Sequence, residues 1–468
     1  MRRIGLLLAV TLAMQAQPAS GPPAVCCPLS AIQQKTLDEL QSFLAIPNLA
    51  SDTVNINRNA DAIVAMFAKR HIDAKLLRID GAPPLVVAEL PAPGAKRTIN
   101  FYAHYDGQPV DEKQWHSPPW SPVIHDDRIW ARSAGDDKAA IVAMLAAIDA
   151  LKTKPAVNLK FVFEGEEEAG SPHLAAYLGK YADPLRGDVW MLCDGPVHQS
   201  RRMQLFFGAR GITEVELTVY GPIKGLHDGH YGNWVPNPAV MLTHLIDSMR
   251  DENARILIDG FYDDVARSAA PEAPPVEEEL KKEFAIGRTE NASLYEAIQM
   301  PALNVRGILS GRVGASASNT INTEATASID FRLVPDQTPE SVRAKVETHV
   351  EKQGYFIVHD TPDAATRTSH ARVAKLVWNM AGSYPPARTS PDLPVSREVI
   401  SIVRKVSGEV VVLPTLGGSI PMYLFKPAVI GLPIANHDDN QHAADENLRL
   451  QNLWDGIEVF RALFEGMR

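Results

Sequence analysis

The sequence predicts an α/β fold that is interrupted by a smaller α+β domain. Short, continuously apolar strands alternate with helical patterns up to about Gly208, as in a mostly parallel sheet covered by helices. After Gly211 apolar and polar residues alternate, which is typical of a strand with one exposed face. Continuously apolar strands return near the carboxyl terminus. We therefore expect a discontinuous main domain at 30–208 and 386–468 and an insert at 209–385.

Apolar runs of strand length and helical periodicity define the elements of both domains. In the main domain, buried strands are predicted at 98–103, 159–163, 189–193, 410–413 and 427–432, with a helix at 138–151. In the insert, a strand from Gly211 is followed by helices and strands, which are predicted at 238–250, 325–334, 339–352 and 355–358. This order indicates a small ferredoxin-like α+β sandwich.

Composition limits the class of function. The chain has 468 residues, of which 45% are hydrophobic and 22% charged, so it can form a large core and a second domain. Its formal net charge of -10 gives no sign of the basic surface that nucleic-acid binding needs. We therefore expect a small substrate and no nucleic-acid partner.

The first residues, 1–20, have the pattern of a signal peptide. Arg2 and Arg3 precede an apolar run that is shorter than the roughly 20 residues of a membrane-spanning helix, so export is favoured over anchoring. No later segment is apolar enough to span a membrane. We expect a periplasmic or secreted protein, and the cleavage site stays open.

Three cysteines cannot form a disulfide framework at this length, and Cys26 and Cys27 receive no role.

Polar residues with metal-ligand chemistry follow the predicted strands. Taken singly, each motif is weak, because a histidine after a strand is often structural and an acidic pair often caps a helix. Together they place carboxylate and imidazole groups at one end of a sheet, where α/β proteins bind ligands. The motifs are HYDG with His104 and Asp106, SAGDDK with Asp136 and Asp137, FEGEEEAGS with Glu167 and Glu168, CDG with Asp194, and QHAADE with His442.

These motifs, with GLHDG, FRLVP and GGSIP, resemble the carnosinase, aminoacylase and succinyl-diaminopimelate desuccinylase family of di-metal peptidases. The resemblance runs from about Thr36 to Met467. It implies a catalytic domain that carries an inserted lid and dimerisation domain. It also implies hydrolysis of amide bonds by a water bridged between two metals, and a cis peptide bond between Asp136 and Asp137.

The same resemblance implies a role for each residue of the metal site. Two divalent metal ions per subunit would share Asp136; zinc is expected, although manganese and cobalt suit the same ligands. His104 and Asp194 would complete one site, and Glu168 and His442 the other. Glu167 would be the general base, and Asp106 would fix the ring of His104.

Residues near and within the insert are implied to bind substrate. His227 would support the oxyanion, either in the site of a neighbouring subunit or in its own site through closure of the lid, with a structural loop histidine as the alternative. The first of these roles implies a homodimer formed through the lid. The remaining candidates would bind the substrate's carboxylate and backbone, namely Arg332, Asn319, Gly418 and Ser419. A plain salt bridge is the alternative for Arg332.

Departures from the family pattern bear on the substrate. HDG replaces the more frequent HSG, and Leu416 stands where related members often carry glutamate. The motifs nevertheless favour hydrolysis of dipeptides or short peptides. Two alternatives remain open: a deacylase of N-acyl amino acids, and an exported peptide-binding protein that has lost catalysis.

Overall fold

The structure is a computed structural model that describes residues 29–265 and 271–468. The predicted signal peptide, Cys26 and Cys27 lie outside the described residues. Within the described ranges, no helix is both long and apolar enough to cross a membrane. The helices are α1 Ala31–Leu44, α2 Thr53–Ala68, α3 Lys138–Asp149, α4 Leu174–Lys180, α5 Asp228–Tyr231, α6 Pro238–Met249, α7 Glu277–Glu283, α8 Leu294–Ala297, α9 Pro339–Lys352, α10 Ala364–Ser369, α11 Pro394–Ser407 and α12 Leu450–Gly466.

The strands fall into two main sheets and several short pairs. In chain order they are β1 Ala74–Leu77, β2 Leu85–Leu90, β3 Thr98–His104, β4 Val123–His125, β5 Arg128–Trp130, β6 Asn158–Glu164, β7 Val189–Leu192, β8 Gln204–Phe206, β9 Gly208–Ala209, β10 Gly211–Tyr220, β11 Leu226–His227, β12 Ala302–Leu309, β13 Thr320–Ile321, β14 Glu324–Leu333, β15 Phe356–Val358, β16 Val373–Trp378, β17 Ala387–Arg388, β18 Val411–Leu413, β19 Val429–Gly431 and β20 Asn447–Arg449.

The main sheet has eight strands in the order β1-β2-β6-β3-β7-β19-β8-β18. Its centre is parallel, because β6, β3, β7 and β19 run in one direction, whereas β2 is antiparallel to β6. Both faces of the central strands are buried, which explains their continuously apolar sequences. The predicted α/β class is confirmed, with a mixed sheet that is parallel at its centre.

A buried helix and aromatic side chains hold the main layer together. Helix α3 is buried from Lys138 to Ala147 and packs between α1 and α12. On the sheet, the ring of Phe101 lies 5.0 Å from that of Phe464 on α12, in an edge-to-face arrangement. Because α3 begins at Lys138, its packing also holds the adjacent segment that carries Asp136.

The second sheet has five strands in the order β12-β14-β10-β16-β15. One face packs on α6 and α9 through Val215, Leu242 and Val346, while Glu216 lies exposed on the other face. This arrangement produces the alternating pattern of β10. Strand β12 is an edge, and its Ile308 and Leu309 are exposed.

Two chain segments join the layers, and we call them the hinge: residues 208–212 and 384–388. Strand β9 pairs with β17, and Ile212 exchanges backbone hydrogen bonds with Tyr384. Gly211 has no room for a side chain, because a Cβ atom there would lie 2.5 Å from the carbonyl oxygen of Tyr384. The hinge is therefore closely packed.

One part of the predicted insert packs against the main layer. The backbone of Glu272 pairs with that of Val412, and Val276 and Tyr295 are buried in one cluster with Tyr102 of β3. The sequence showed only an acidic, proline-containing stretch here, because its few apolar anchors are spaced among polar residues. The insert bounds of 209–385 stay a prediction, and all five strands of the second sheet lie within them.

Candidate active site

The predicted metal ligands lie at one edge of the main sheet. His104 ends β3, Asp194 follows β7, and Glu168 lies in a short 3-10 turn after β6. These strands are parallel neighbours, so their carboxyl ends meet at the same edge. Asp136 precedes α3, and His442 lies in the loop after β19.

Within residues 29–265 and 271–468, two groups of potential metal ligands are found, and they share Asp136. The first contains His104, Asp136 and Asp194, and the second contains Asp136, Glu168 and His442; in each group the ligand atoms lie within 4.8 Å of one another. One carboxylate oxygen of Asp136 is 2.8 Å from Nε2 of His104, and the other is 3.1 Å from Nε2 of His442. Asp136 thus presents one oxygen to each group.

The chemistry of these donors fits two divalent cations. Imidazole and carboxylate groups suit zinc, manganese and cobalt. Nε2 of His442 also lies 3.1 Å from Oε2 of Glu168, so the second group is as compact as the first. All five residues that the sequence nominated as ligands are therefore brought together, and their role as ligands stays a prediction.

Crowded negative charge perturbs the pKa values of these groups. Burial, followed by the charge of Asp136, raises the pKa of Asp194 to about 7. Hydrogen bonds that the carboxylates of Asp136 and Glu168 accept from His442 raise its pKa to about 10. Burial also raises the pKa of Asp136, but the hydrogen bond and charge of His104 outweigh it and hold this pKa well below its usual range. A bound cation would relieve this crowding.

Glu167 lies beside the ligand groups without belonging to either of them among the described residues. Withdrawal from water and the charge of Asp194 raise its pKa well above the usual range. Its backbone N–H donates to Oδ1 of Asp106 at 3.0 Å, and that of Glu168 donates to Oδ2 at 3.1 Å. Asp106 therefore fixes the turn that carries both glutamates.

Asp106 also faces the ring of His104. Its Oδ1 lies 3.3 Å from Nδ1 of His104, on the side of the ring away from Asp136. This is the arrangement predicted for a carboxylate that orients a ligand histidine.

The SAGDDK motif has two further structural features. The peptide bond between Asp136 and Asp137 is cis, which confirms that prediction. Lys138 is buried, and its ammonium group donates to the carbonyl oxygens of Phe43 and Ile46 at 2.9 and 2.8 Å. This lysine ties the end of α1 to the start of α3.

Glu446 was not assigned a role from the sequence, although it ends the QHAADE motif. Its buried carboxylate accepts the backbone N–H groups of Gly135 and Asp136, each at 2.9 Å, and pairs with Arg132 at 2.7 Å. Burial raises its pKa to about 7 despite Arg132. Glu446 thus holds the loop of the shared ligand, and Gln441 donates to Oδ2 of Asp136 at 2.7 Å.

Three of the predicted substrate-binding residues form one cluster at the hinge. Nη1 of Arg332 donates to Oγ of Ser419 at 2.8 Å, and the carbonyl oxygen of Gly418 accepts the backbone N–H of Arg210 at 3.2 Å. Arg332 also pairs with Asp330 at 3.1 Å, as its alternative interpretation expected. Burial and the charge of Glu167 raise the pKa of Tyr384 in the hinge to about 12, while Arg332 opposes the shift.

His227 and Asn319 lie elsewhere, on the exposed surface of the insert. The backbone N–H of Asp228 donates to the carbonyl oxygen of Asn319 at 3.2 Å, and the side chain of His227 is 55% exposed. Among the hydrogen bonds and ion pairs of the described residues, none joins either side chain to the ligand groups. Their predicted roles therefore require another copy of the chain or a different arrangement of the insert.

Known proteins resemble this chain over most of its length. Residues 100–466 match peptidase family M20/M25/M40. The chain is 27% identical to a Cys-Gly metallodipeptidase of Schizosaccharomyces pombe, with 90% of this chain and 93% of the relative covered. The human Beta-Ala-His dipeptidase is 25% identical, with 91% and 85% covered.

A solved structure gives the same result. The M20 family metallo-carboxypeptidase of Sulfolobus solfataricus superposes with a TM-score of 0.76 at 30% identity, covering 92% of this chain and 99% of that chain. The family resemblance read from the motifs is confirmed. The chain belongs to peptidase family M20/M25/M40 and is a metallopeptidase.

Proposed function

We propose that this chain is a metal-dependent dipeptidase that hydrolyses the amide bond of dipeptides or other short peptides. One observation carries the proposal: Asp136 is shared by two compact ligand groups, with Glu167 beside both. The relatives named for Cys-Gly and β-Ala-His support dipeptides as the substrate class.

The ligand groups would hold two divalent metal ions, for which we propose zinc. When bound, such ions supply Lewis-acid polarisation of the substrate carbonyl and lower the pKa of water. His104 and Asp194 would hold one ion, Glu168 and His442 the other, and Asp136 both. Manganese and cobalt suit the same donors.

The remaining chemistry is proton transfer, which we assign to the carboxylate of Glu167. It takes a proton from the attacking water and returns it to the amine nitrogen that leaves. Burial and the charge of Asp194 raise the pKa of Glu167, which makes this carboxylate a stronger proton acceptor than an exposed glutamate. Asp106 keeps Glu167 in place through the backbone hydrogen bond of 3.0 Å.

Substrate binding involves the cluster at the hinge. The guanidinium group of Arg332 and the hydroxyl of Ser419 would bind the substrate's terminal carboxylate, and Gly418 its backbone. Arg332 is about one third exposed, at 32%, and so can accept an additional partner. An anchor for the terminal carboxylate would make the enzyme an exopeptidase.

We further infer a homodimer that forms through the insert. Strand β12 has a free edge, and such edges pair readily with a second copy. Apolar residues near this edge and near His227 are unusually exposed, namely Trp234 at 77%, Leu309 at 71% and Val313 at 87%. A partner subunit would cover them and would deliver His227 and Asn319 to the neighbouring site.

A substrate panel tests the proposed function. Freshly purified, undialysed protein should contain two metal ions per chain and should hydrolyse Cys-Gly or β-Ala-His when zinc, manganese or cobalt is supplied. Faster hydrolysis of N-acetyl amino acids would instead indicate a deacylase. Binding of dipeptides without turnover under every metal would indicate a protein that has lost catalysis.

Export is a separate proposal, which rests on the pattern of residues 1–20. Cell fractionation and amino-terminal sequencing test it. Recovery of the intact amino terminus from the cytoplasmic fraction alone would contradict it.

A further inference from the structure

The loop at 416–419 lies along the first segment of the hinge. The backbone N–H of Leu416 donates to the carbonyl oxygen of Gly208 at 2.8 Å, and that of Arg210 donates to Gly418 at 3.2 Å. Oγ of Ser419 lies 3.4 Å from the carbonyl oxygen of Gly211. Gly418 and Ser419, which are proposed to bind substrate, therefore contact the hinge between the two layers.

The side chain of Arg210 adds a contact that the mechanism does not use. Its Nε donates to the carbonyl oxygen of Gly417 at 2.8 Å. From another direction Ile298 packs on the same residue, since a Cβ atom at Gly417 would lie 3.1 Å from its Cγ2. Gly417 is therefore held between a charged donor and an apolar side chain.

Arg210 and Arg332 also influence each other electrostatically. Burial and the charge of Arg332 lower the pKa of Arg210 to about 10, and Asp330 only partly opposes this. Arg332 pairs with Asp330 at 3.1 Å, whereas the side chain of Arg210 donates to a backbone carbonyl, so the cluster contains two guanidinium groups and one paired carboxylate. Such an excess beside the hydroxyl of Ser419 is suited to an anionic group of the substrate.

We propose that Arg210 is a positioning residue that holds loop 416–419 in place, so that Ser419 and Arg332 together recognise the terminal carboxylate of the substrate. The inference rests on the proposed dipeptidase function. Arg210 acts through Gly417 and Gly418 and through its charge, whereas Arg332 would touch the carboxylate itself.

The test compares Arg210→Met and Arg210→Lys with wild type. The substrates are Cys-Gly or β-Ala-His, whichever is cleaved faster, and the same dipeptide as its carboxyl-terminal amide. We expect Arg210→Met to raise KM for the dipeptide by about tenfold or more, with kcat changed much less, and to leave kcat/KM for the amide nearly unchanged. Arg210→Lys keeps a charge and a donor, so it should recover part of the loss.

Two reference variants make the outcomes separable. Arg186→Met removes an arginine that pairs with Asp183 on the exposed surface of the main domain, and it should change neither substrate's kinetics. Arg332→Met should discriminate between dipeptide and amide as Arg210→Met does. Equal losses on both substrates in Arg210→Met, or no rise in KM, would overturn the inference while Arg332→Met still supports the proposed subsite. A wild-type enzyme that cleaves no dipeptide would remove the proposed function as well.

Discussion

Neighbouring glutamates have different surroundings in the turn after β6. Glu168 lies 3.1 Å from His442 and accepts a hydrogen bond from Gln108 at 2.8 Å. Glu167 instead is withdrawn from water beside the charges of Asp194 and His104. Glu166 turns away and pairs with His173 at 2.9 Å. These surroundings support the proposed roles of Glu168 as a metal ligand and Glu167 as the base, whereas Glu166 forms an ion pair.

Replacing Glu167 by glutamine should remove the base and leave the ligand groups intact. We expect kcat to fall by at least about 100-fold, the usual contribution of general acid-base catalysis, while both metals are retained. Steady-state kinetics and metal analysis of the same preparation measure the two effects.

Glu166→Gln is the matched control, and it should keep most of the activity because Glu166 pairs with His173. If Glu167→Gln kept near-normal turnover and Glu166→Gln did not, the base would be Glu166.

Residues that act at the ends of strands could be nominated from sequence, and residues that act through backbone groups could not. His104, Asp136 and Asp194 stand out because a polar side chain interrupts an apolar pattern. Glu446 accepts hydrogen bonds from N–H groups of a loop more than three hundred residues away in sequence. Only the fold reveals this contact. Arg210 was missed for the same reason, because its partners are backbone carbonyls.

At the scale of secondary-structure elements, the hinge should tolerate little change. A Cβ atom at position 211 would meet the backbone at Tyr384 and Pro386 at 2.5 and 2.6 Å, and a backbone cannot move aside as a flexible side chain can. We therefore expect Gly211→Ala to lower the free energy of unfolding by about 1–3 kcal/mol, as overpacking typically does. Urea denaturation measures the change.

Gly179→Ala is the control for the hinge variant. Gly179 lies in α4 with nothing within 4 Å of an added Cβ, so alanine should be neutral or stabilise by about 0.5–1 kcal/mol. A Gly211→Ala protein as stable as the control would show that the hinge can relax.

Element boundaries were predicted well where periodicity was strong. The helix predicted at 339–352 is α9 with the same bounds, and the strand predicted at 98–103 is β3, one residue longer. Burial on both faces and one-sided burial leave distinct patterns in the sequence. The segment with Glu272 and Tyr295 left no such pattern, because its contacts with the main layer come from isolated residues.

For the whole molecule, metal binding and pH should be coupled. In the metal-free protein the pKa values of Asp194 and Glu446 are raised to about 7, so between about pH 4 and 7 these two carboxyl groups bind more protons in the folded protein than in the unfolded chain. The stability that these two groups contribute therefore falls as pH rises through this window. The raised pKa of His442, about 10, continues the trend above pH 6.5.

We therefore expect protein treated with a chelator to melt at a lower temperature at pH 8 than at pH 6. Zinc should raise the melting temperature more at pH 8, because the ligands bind the metal in their deprotonated forms. Thermal unfolding with chelator and with zinc at both pH values tests this. A zinc effect that is the same at both values would contradict the coupling.

The proposed homodimer can be tested by mixing two inactive variants. If His227 acts in the partner's site, mixing inactive His227→Ala protein with inactive Glu167→Gln protein should restore about a quarter of wild-type activity, since half of the exchanged dimers are mixed and each has one complete site. His230→Ala, at the neighbouring exposed histidine whose ring lies 4.7 Å away, is the control and should stay active.

Two results would contradict this prediction. One is sedimentation as a monomer at working concentration. The other is absence of activity in the mixture after subunit exchange has been demonstrated.

The order of the ligands along the chain has a consequence for biosynthesis. His104, Asp136, Glu168 and Asp194 are all translated before the insert, whereas His442 and the strands β18 and β19 come after it. A nascent polypeptide thus holds the first ligand group early, but it can complete neither the second group nor the main sheet until almost the whole chain has left the ribosome. A product truncated anywhere in the insert would keep His104, Asp136 and Asp194 but would lack His442, and with it the second ligand group. We therefore expect hydrolysis only by the finished polypeptide.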